Sequence, residues 1–494
     1  MNQAEIDTLR ATPVAPLEHI INGAHVPASD GAQMDILSPI DGTVLTQVAR
    51  GTAADMDAAI RAARTAFEDR RWAGQPPAMR KKVLMKWADL IEANALELAV
   101  LGVRDNGTEI SMALKAEPGS AAATIRFYAE ALDKIYGEIA NTPDGILGMI
   151  HKEAAGVVGA IIPWNFPLMI GAWKLGPALA MGNSVVVKPS ETASLSLMRM
   201  VDLAHEAGLP PGVLNAVTGE GAVVGETLAL SMEVDVLVFT GSGRTGRRLM
   251  EYAARSNMKR VYLELGGKSP NIVFADAPDL EEAAKTAAAG IFRNAGQVCV
   301  AGSRLLVEAA IHDEFVAAVV KATEAMRVGD PLMVDTHIGA INSEPQLAAN
   351  LGFVETAQSE GGHVITGGSR LLQETGGYYM APTIVTDVTR DATLAQKEVF
   401  GPVLAVTSFT GEEEAIDLAN ATPYGLAGGV WTSNLSKAHK MVSRLRTGVV
   451  HVNTYGGPDT TVPLGGVKQS GNGSDKSLHA IEKYINLKTA WIKL

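Results

Sequence analysis

The sequence predicts an α/β protein built on a parallel sheet with helices on both faces. Three observations predict it. From residue 155 onward short β-rich runs alternate with helical stretches, a glycine-rich loop follows one of the strands, and a second region of the same alternation comes later in the chain. In order, a strand over 157–162 precedes a helix over 168–181, 184–188 precedes 195–207, and 213–217 precedes 223–230. Then 234–239 precedes 245–256, and 261–265 closes the series. Alternation of this kind indicates βαβ units, because parallel neighbours need a crossover and the crossover is usually a helix. Upstream, 54–70 and 79–101 read as amphipathic helices, with Ile60, Ala63, Phe67 and Leu84, Trp87, Leu90, Ile91 at helical spacing. The second α/β region comprises a strand at 271–276, an Ala-rich helix at 280–292 and a strand at 403–409. The tail, 482–494, alternates apolar and polar residues and predicts a terminal strand whose open edge could pair with another subunit.

Size and composition limit the function classes. A chain of 494 residues suggests roughly three domains or two large ones. With 47% hydrophobic and 19% charged residues it can bury a large core. A net charge of −12 argues against a nucleic-acid scaffold, since phosphate backbones need Lys and Arg, and fits a soluble cytoplasmic protein. The N-terminus lacks a basic start followed by an apolar core, so no signal peptide is expected. The longest uncharged apolar run, 154–173, could span a bilayer by length. It contains Pro163 and Pro167, which break a helix, so a buried strand followed by a loop is expected instead of a membrane segment. The single cysteine excludes an internal disulfide, and without CxxC or HExxH no metal site is expected.

Two local patterns carry chemistry. After the strand at 234–239 comes Gly241-Ser-Gly243-Arg-Thr-Gly246, a G-x-G-x-x-G run in strand–loop–helix context. Glycines there let the backbone approach a pyrophosphate, and the helix N-terminus favours the anion. The usual rule would then give the ribose to an acid about 20 positions on, here Glu264. Gly266-Gly-Lys268-Ser269 resembles the end of a Walker loop, but the earlier glycine such a loop needs is Tyr262. The other pattern is Gly296-Gln-Val-Cys299-Val-Ala-Gly302. A free cysteine is most often a small buried hydrophobe. Flanking glycines suggest a turn where a ligand comes close, and a nucleophilic thiol there would need a lowered pKa or a nearby base.

Pro163-Trp164-Asn165-Phe166-Pro167, Lys188-Pro-Ser-Glu191, Glu264-Leu-Gly-Gly-Lys-Ser-Pro270, Gly296-Gln-Val-Cys299 and Glu398-Val-Phe400-Gly-Pro402 together resemble the aldehyde dehydrogenase superfamily, in its order and spacing. The resemblance runs from Ile21-Asn-Gly23 to the terminal strand. It implies a Rossmann-type parallel-sheet cofactor domain (1–132 and 155–263), a second α/β catalytic domain (264–477) and a small β oligomerisation flap (133–154 and 478–494). It implies that Cys299 attacks an aldehyde, that the Asn165 amide and the Cys299 backbone N–H hold the oxyanion, and that Glu264 is the general base for thioester hydrolysis. Glu264 is therefore read as a base and not as a ribose ligand. Lys174 and Asp475 are implied to form a proton path.

The cofactor implied is NAD, with NADP possible. Its residues by resemblance are Ile162, Pro163, Trp164, Lys188, Ser190, Glu191, Gly221, Gly225, Phe239, Thr240, Gly241, Ser242, Thr245, Leu265, Glu398 and Phe400. Lys188 and Glu191 fall to the adenosine ribose, Gly241 and Ser242 to the pyrophosphate, Glu398 to the nicotinamide ribose, and Phe400 beside the ring. A carboxylate near the 2′ position favours NAD. A small-molecule aldehyde is the expected partner, in a homodimer or homotetramer, with neither nucleic acid nor membrane.

Lys468-Gln-Ser-Gly-Asn-Gly473, Asp475-Lys-Ser-Leu-His-Ala480, Phe127-Tyr-Ala-Glu-Ala-Leu-Asp-Lys134 and Ser256-Asn-Met-Lys259 are similar to the bacterial gamma-glutamyl-gamma-aminobutyraldehyde dehydrogenase branch. That branch implies an omega-amino or gamma-glutamylamino aldehyde from polyamine degradation. Aromatic or aliphatic aldehydes, a CoA-acylating reaction and a non-catalytic NAD-binding protein are the alternatives. The chain departs from the pattern at Arg293, Ala295, Leu464, Ala116-Glu117 and Ser474-Asp475. Substrate choice is expected to reside in the loops near 111–130, 166–173, 292–300 and 455–462.

Overall fold

The computed structural model describes residues 2–456 and 459–494, so part of the expected substrate loop at 455–462 lies outside the described residues. Five strands, β1 (Val157–Ile161), β2 (Ser184–Lys188), β3 (Leu214–Ala216), β4 (Val236–Thr240) and β5 (Arg260–Glu264), form a parallel sheet in the order β3-β2-β1-β4-β5. β1, β2 and β4 are buried along their whole length, which is why they read as continuous apolar runs. Helices α1 (Pro167–Ala180), α2 (Leu195–Glu206), α3 (Glu226–Leu230) and α4 (Gly243–Arg255) make the crossovers. The strand order reverses between β1 and β4. A crevice therefore opens beyond their carboxyl ends, where open α/β sheets take their ligands.

The expected apolar run at 154–173 resolves into β1, a loop and the start of α1. Pro167 sits in the first turn of α1, where its missing N–H is an orphan in any case. Among the described residues no helix is long and apolar enough to cross a membrane. The helix expected over 79–101 is two helices, Pro77–Ala93 and Ala95–Asn106. Asn94 breaks it: its backbone leaves the helical region, and its side chain donates to Leu90 O at 2.7 Å. The helix expected over 223–230 begins as a wide turn, Gly221–Gly225.

The short segment 265–269 leads into a second sheet. Strands β6 (Pro270–Val273), β7 (Arg304–Glu308), β8 (Thr383–Thr386), β9 (Val403–Phe409), β10 (Ala427–Trp431) and β11 (Val449–Val452) run parallel in the order β8-β9-β7-β6-β10-β11. Helix α5 (Leu280–Phe292) joins β6 to β7 and covers one face through Ala283, Ala284, Ala287 and Ile291. A third, three-stranded sheet pairs Ile485–Lys493 antiparallel with Ile146–Ala154, and that strand with Glu138–Ala140. Its outer strand exposes Leu487 and Trp491.

The end of the chain also returns to the first lobe. Gly471–Asn472 adds an antiparallel strand beside β5. The turn Leu478–Tyr484 buries Ala480, Ile481 and Tyr484 in the first lobe's core. This return brings Asp475, with Lys483 bound to it, onto Lys174 of α1.

Candidate active site

Cys299 lies in the loop between α5 and β7, and part of its surface is open. α5 ends at Phe292, and Asn294, Ala295 and Gly296 then take left-handed backbone (φ 49°, 50° and 72°). For the two non-glycine residues such backbone costs on the order of 1–3 kcal/mol each, so neighbours must hold it. They come largely from the first lobe. The Asn294 N–H donates to both Glu109 carboxylate oxygens at 3.2 Å, and Thr108 Oγ1 donates to Asn294 Oδ1 at 2.7 Å. Gln297 Oε1 accepts from Asn342 N at 2.8 Å. Gly296 must be glycine, since a Cβ there would sit 2.1 Å from the Gly401 carbonyl.

Asn165 approaches the same loop from the end of β1. It is buried, and its amide donates to the Gln297 carbonyl at 3.0 Å. One of its two N–H bonds is thereby fixed. Glu264 ends β5 and is buried, and its Oε1 has no hydrogen-bond partner among the described residues. Burial and the nearby Asp475 carboxylate push the Glu264 carboxyl well above its usual range, against the pull of Lys174 and Lys483. Both lysines are bound to Asp475, Lys174 Nζ to Oδ2 and Lys483 Nζ to Oδ1. Burial alone would raise Asp475, but the two ammoniums hold it below the ordinary carboxylate value.

The crevice has the parts a dinucleotide needs. Lys188 ends β2, and its ammonium meets Glu191 Oε2 at 2.9 Å, while Glu191 Oε1 accepts the Gly221 N–H. Burial would raise the Glu191 carboxyl, but Lys188 keeps it low, so it stays anionic beside the crevice. Ser242 caps α4 by accepting from Thr245 N at 3.3 Å, leaving the first N–H groups of that helix for an anion. The Thr240 hydroxyl is buried with no partner among the described residues. A Cβ on Gly241 would lie 2.4 Å from the Phe239 ring, and one on Gly246 3.0 Å from Leu265. These glycines set the close approach of loop and helix to the sheet. Ser190 Oγ lies 3.3 Å from Thr192 Oγ1, Gly225 is the buried end of the largely exposed turn Gly221–Gly225, and Ile162 is buried beside Pro163 and Trp164.

From the second lobe, Glu398 Oε1 accepts the Gly267 N–H at 3.0 Å. Burial pushes the Glu398 carboxyl up to about 7, opposed by that N–H and by Lys268. Lys268, the lysine of the apparent Walker end, is buried beside it, with its ammonium pushed down to about 7 by burial and by Arg304. Phe400 meets Trp164 edge-on at 5.2 Å across the gap between lobes. A small recess is lined by Gly267, Gly296, Val298, Glu398 and Phe400.

On the other side of Cys299, Phe166, Ile170, Trp173 and Leu464 form an apolar wall with Met112 and Met169 packed on it. Glu117 does not face this wall as an open carboxylate. It accepts from Met169 N at 2.7 Å and caps the first turn of α1, and burial raises its carboxyl to about 8. Lys476 places its ammonium 5.7 Å from the Trp173 ring. Arg293 is exposed. Sequence reasoning missed Lys483, Thr108 and Glu109. Glu109 is 185 residues from Asn294, and no local pattern links them. Lys483 sat unnoticed in a tail read as a strand. Among the described residues no group of His, Cys, Asp and Glu could hold a metal ion.

In the free protein, burial together with the Glu398 and Glu264 carboxyls pushes the Cys299 thiol up to about 12. The thiolate fraction then rises about tenfold per pH unit throughout the range below that value. Alkylation of Cys299 by iodoacetamide without cofactor should accelerate about tenfold per unit from pH 7 to 9.5, with no plateau. A plateau below pH 8 would show a thiolate already stabilised in the free enzyme.

Residues 25–490 match the model of the aldehyde dehydrogenase family. The NADP/NAD-dependent aldehyde dehydrogenase PuuC of Escherichia coli is 50% identical over 96% of this chain and 95% of its own. The gamma-glutamyl-gamma-aminobutyraldehyde dehydrogenase of Burkholderia cenocepacia is 48% identical with a TM-score of 0.98, covering 100% of both chains. The P. syringae indole-3-acetaldehyde dehydrogenase AldA, solved in complex with NAD+ and IAA, is 49% identical with a TM-score of 0.99 and the same coverage. The chain belongs to the aldehyde dehydrogenase family.

Proposed function

We propose that this protein oxidises an aldehyde to a carboxylic acid with NAD(P), through a thioester on Cys299. The observation that supports the reading is the Asn165 amide bound to the Gln297 carbonyl, two residues before Cys299, with the buried, unpaired Glu264 carboxyl in electrostatic reach of the same sulfur. The residues of the crevice fit the dinucleotide: Lys188 and Glu191 toward the adenosine ribose, the α4 N-terminus toward the pyrophosphate, and Glu398 with Phe400 toward the nicotinamide half. When bound, the dinucleotide accepts the hydride. The anionic Glu191 opposes a 2′-phosphate and favours NAD, while Lys188 beside it leaves NADP usable.

The side chains divide the work. Cys299 releases its proton to water and, as thiolate, bonds through sulfur to the carbonyl carbon, and the oxyanion is held by the free Asn165 N–H and the Cys299 backbone N–H. Each such donor is worth roughly 10²–10³ in rate. In the second half Glu264 takes a proton from water as the water oxygen bonds to the thioester carbon. The C–S bond breaks, the sulfur leaves as thiolate, and the acid is released. Lys174 and Asp475 lie behind Glu264 as the route by which its proton departs. A buried base of this kind is at odds with transfer to CoA, and the full set of groups is at odds with a non-catalytic binding protein.

The substrate reading is a gamma-glutamylamino aldehyde rather than a free omega-amino aldehyde. The wall of Phe166, Ile170, Trp173 and Leu464 suits a methylene chain, and Glu117 is committed to α1 instead of a substrate amine. The relative from Burkholderia cenocepacia bears that substrate in its name. The aromatic wall makes an indolic or other aromatic aldehyde the second reading. The first lobe and second lobe act as cofactor and catalytic domains. The three-stranded sheet, with Leu487 and Trp491 exposed, is the oligomerisation flap of a cytoplasmic homodimer or homotetramer. Gel filtration should give a dimer or tetramer, and a monomer would contradict it.

A substrate panel tests the rest. The gamma-glutamylated aminobutanal should exceed free 4-aminobutanal in kcat/KM by about tenfold or more, the worth of one misplaced charge or lost contact. One NADH should form per acid, and Cys299→Ala should lose turnover. Fastest oxidation of the free amine would overturn the substrate, fastest oxidation of an indolic aldehyde would move it to the second reading, and acid formation by Cys299→Ala would overturn the mechanism.

A further inference from the structure

Glu264, Asp475, Lys174 and Lys483 form a buried cluster drawn from β5, the turn after Gly471–Asn472, α1 and the turn Leu478–Tyr484. The side chains of Asp475, Lys174 and Lys483 are 0%, 1% and 4% exposed. One lysine would balance Asp475. The second leaves one positive charge over, and in the protein interior a surplus charge needs a partner. Glu264 is the acid within electrostatic reach of both ammoniums, and its Oε1 has no hydrogen-bond partner among the described residues. The four side chains sum to zero with Glu264 ionised and to +1 with it protonated. Without Lys483 the same set sums to −1 with Glu264 ionised and to zero with it protonated. Lys483 thus shifts the charge balance toward ionised Glu264, against the burial and the Asp475 charge that push the carboxyl up.

The other groups facing the cluster do not change this count. Tyr484 comes from the same turn, Tyr262 from β5, and Tyr128 from the helix Pro118–Ala131, where its hydroxyl donates to Ser477 O at 2.9 Å. Burial and the Asp475 charge push Tyr128 and Tyr484 above their usual value, so they stay neutral. Lys476 adjoins Asp475 in sequence, but its ammonium lies over the Trp173 ring at the substrate wall. On the crevice side Glu264 faces Cys299. The Lys483 stem packs on Gly473, where a Cβ would lie 3.5 Å from its Cδ, and its ammonium is 5.5 Å from the Tyr484 ring centre. Its position is therefore fixed.

We propose that Lys483 is a positioning residue for thioester hydrolysis: held on Asp475 opposite Lys174, its charge draws the buried Glu264 toward the ionised form that takes the proton of the attacking water. This rests on Glu264 being the base. It gives the relay a second lysine whose charge acts on the base and whose side chain never touches substrate.

The test compares Lys483→Met, Lys483→Arg and Glu264→Gln in the NADH burst and in the decay of the acyl-enzyme across pH. Losing a positive charge raises the carboxyl's pKa, so the loss falls on the acidic side and is recovered in alkali. In Lys483→Met the burst should be unchanged, and the acidic limb of acyl-enzyme decay should move up by about one pH unit or more, the usual effect of one close charge on a carboxylate. Lys483→Arg should restore the original limb. Glu264→Gln should form the acyl-enzyme and stall at every pH. If Glu264→Gln stalls while Lys483→Met keeps the original limb, or only loses thermal stability, the role of Lys483 is overturned alone. If Glu264→Gln turns over with the original profile, the base reading falls and this proposal with it. Should Lys483→Met not fold, Lys483→Gln is read by the same criterion.

Discussion

The site depends on one strained turn being held from outside. Between α5 and Cys299 the backbone passes through three left-handed residues, two of them not glycine. Within the turn, Gln297 N–H and its side-chain amide donate to the Asn294 carbonyl, and the rest of the support comes from other elements. The Glu109 carboxylate and the Thr108 hydroxyl, from the loop after the helix Ala95–Asn106, fix Asn294, and the Asn165 amide fixes the Gln297 carbonyl. The sulfur is thus referenced to the first lobe although it belongs to the second. The same loop that carries Asn165 begins at the end of β1, where the crevice opens, so Cys299, the Asn165 amide and the crevice share one frame. Glu109 is buried and its carboxyl raised to about 7 by burial, and two backbone N–H bonds oppose that rise.

The interior is unusually rich in carboxyls that resist ionisation. Asp105, Glu109, Glu117 and Glu398 are all pushed up by burial, to between about 7 and 8. Each keeps its proton in the folded chain where the unfolded chain has lost it. From about pH 4.5 to about 7 each therefore subtracts stability as pH rises, and Asp105 and Glu117 continue to do so to about 8. Asp475 has the opposite sign: its lysines hold it low, so its contribution is present at neutral pH and is lost on acidification. Three of the raised groups, Asp105, Glu109 and Glu117, accept backbone N–H bonds at the ends of helices and turns that aim the site. Stability there is exchanged for placement, which is common where function constrains geometry.

Much of this was legible before any coordinates. Parallel strands show as apolar runs because both faces are covered, and β1 to β5 and α5 fall within a few residues of where the pattern put them. The G-x-G-x-x-G run lies at the reversal of strand order, and Gly246 packs on Leu265 as such a glycine should. The spacing rule would send Glu264 to a ribose, whereas the side chain is buried with Asp475, Lys174 and Lys483 acting on its carboxyl. Asn94 was unreadable for a different reason: apolar spacing continues through it, and only its own side chain on Leu90 ends the helix. Long-range partners left no trace at all. Glu109 with Asn294 and Lys483 with Asp475 meet only once the chain has folded, and the tail's alternation hid a buried turn before the final strand.

The thioester on Cys299 is the central claim, and chemical quenching followed by peptide mass spectrometry tests it most directly. Glu264→Gln, mixed with NAD and an aldehyde substrate and quenched in acid after the NADH burst, should carry one acyl group on the peptide containing Cys299. An unmodified Cys299 peptide after a full burst, or the acyl group on another residue, would contradict the account.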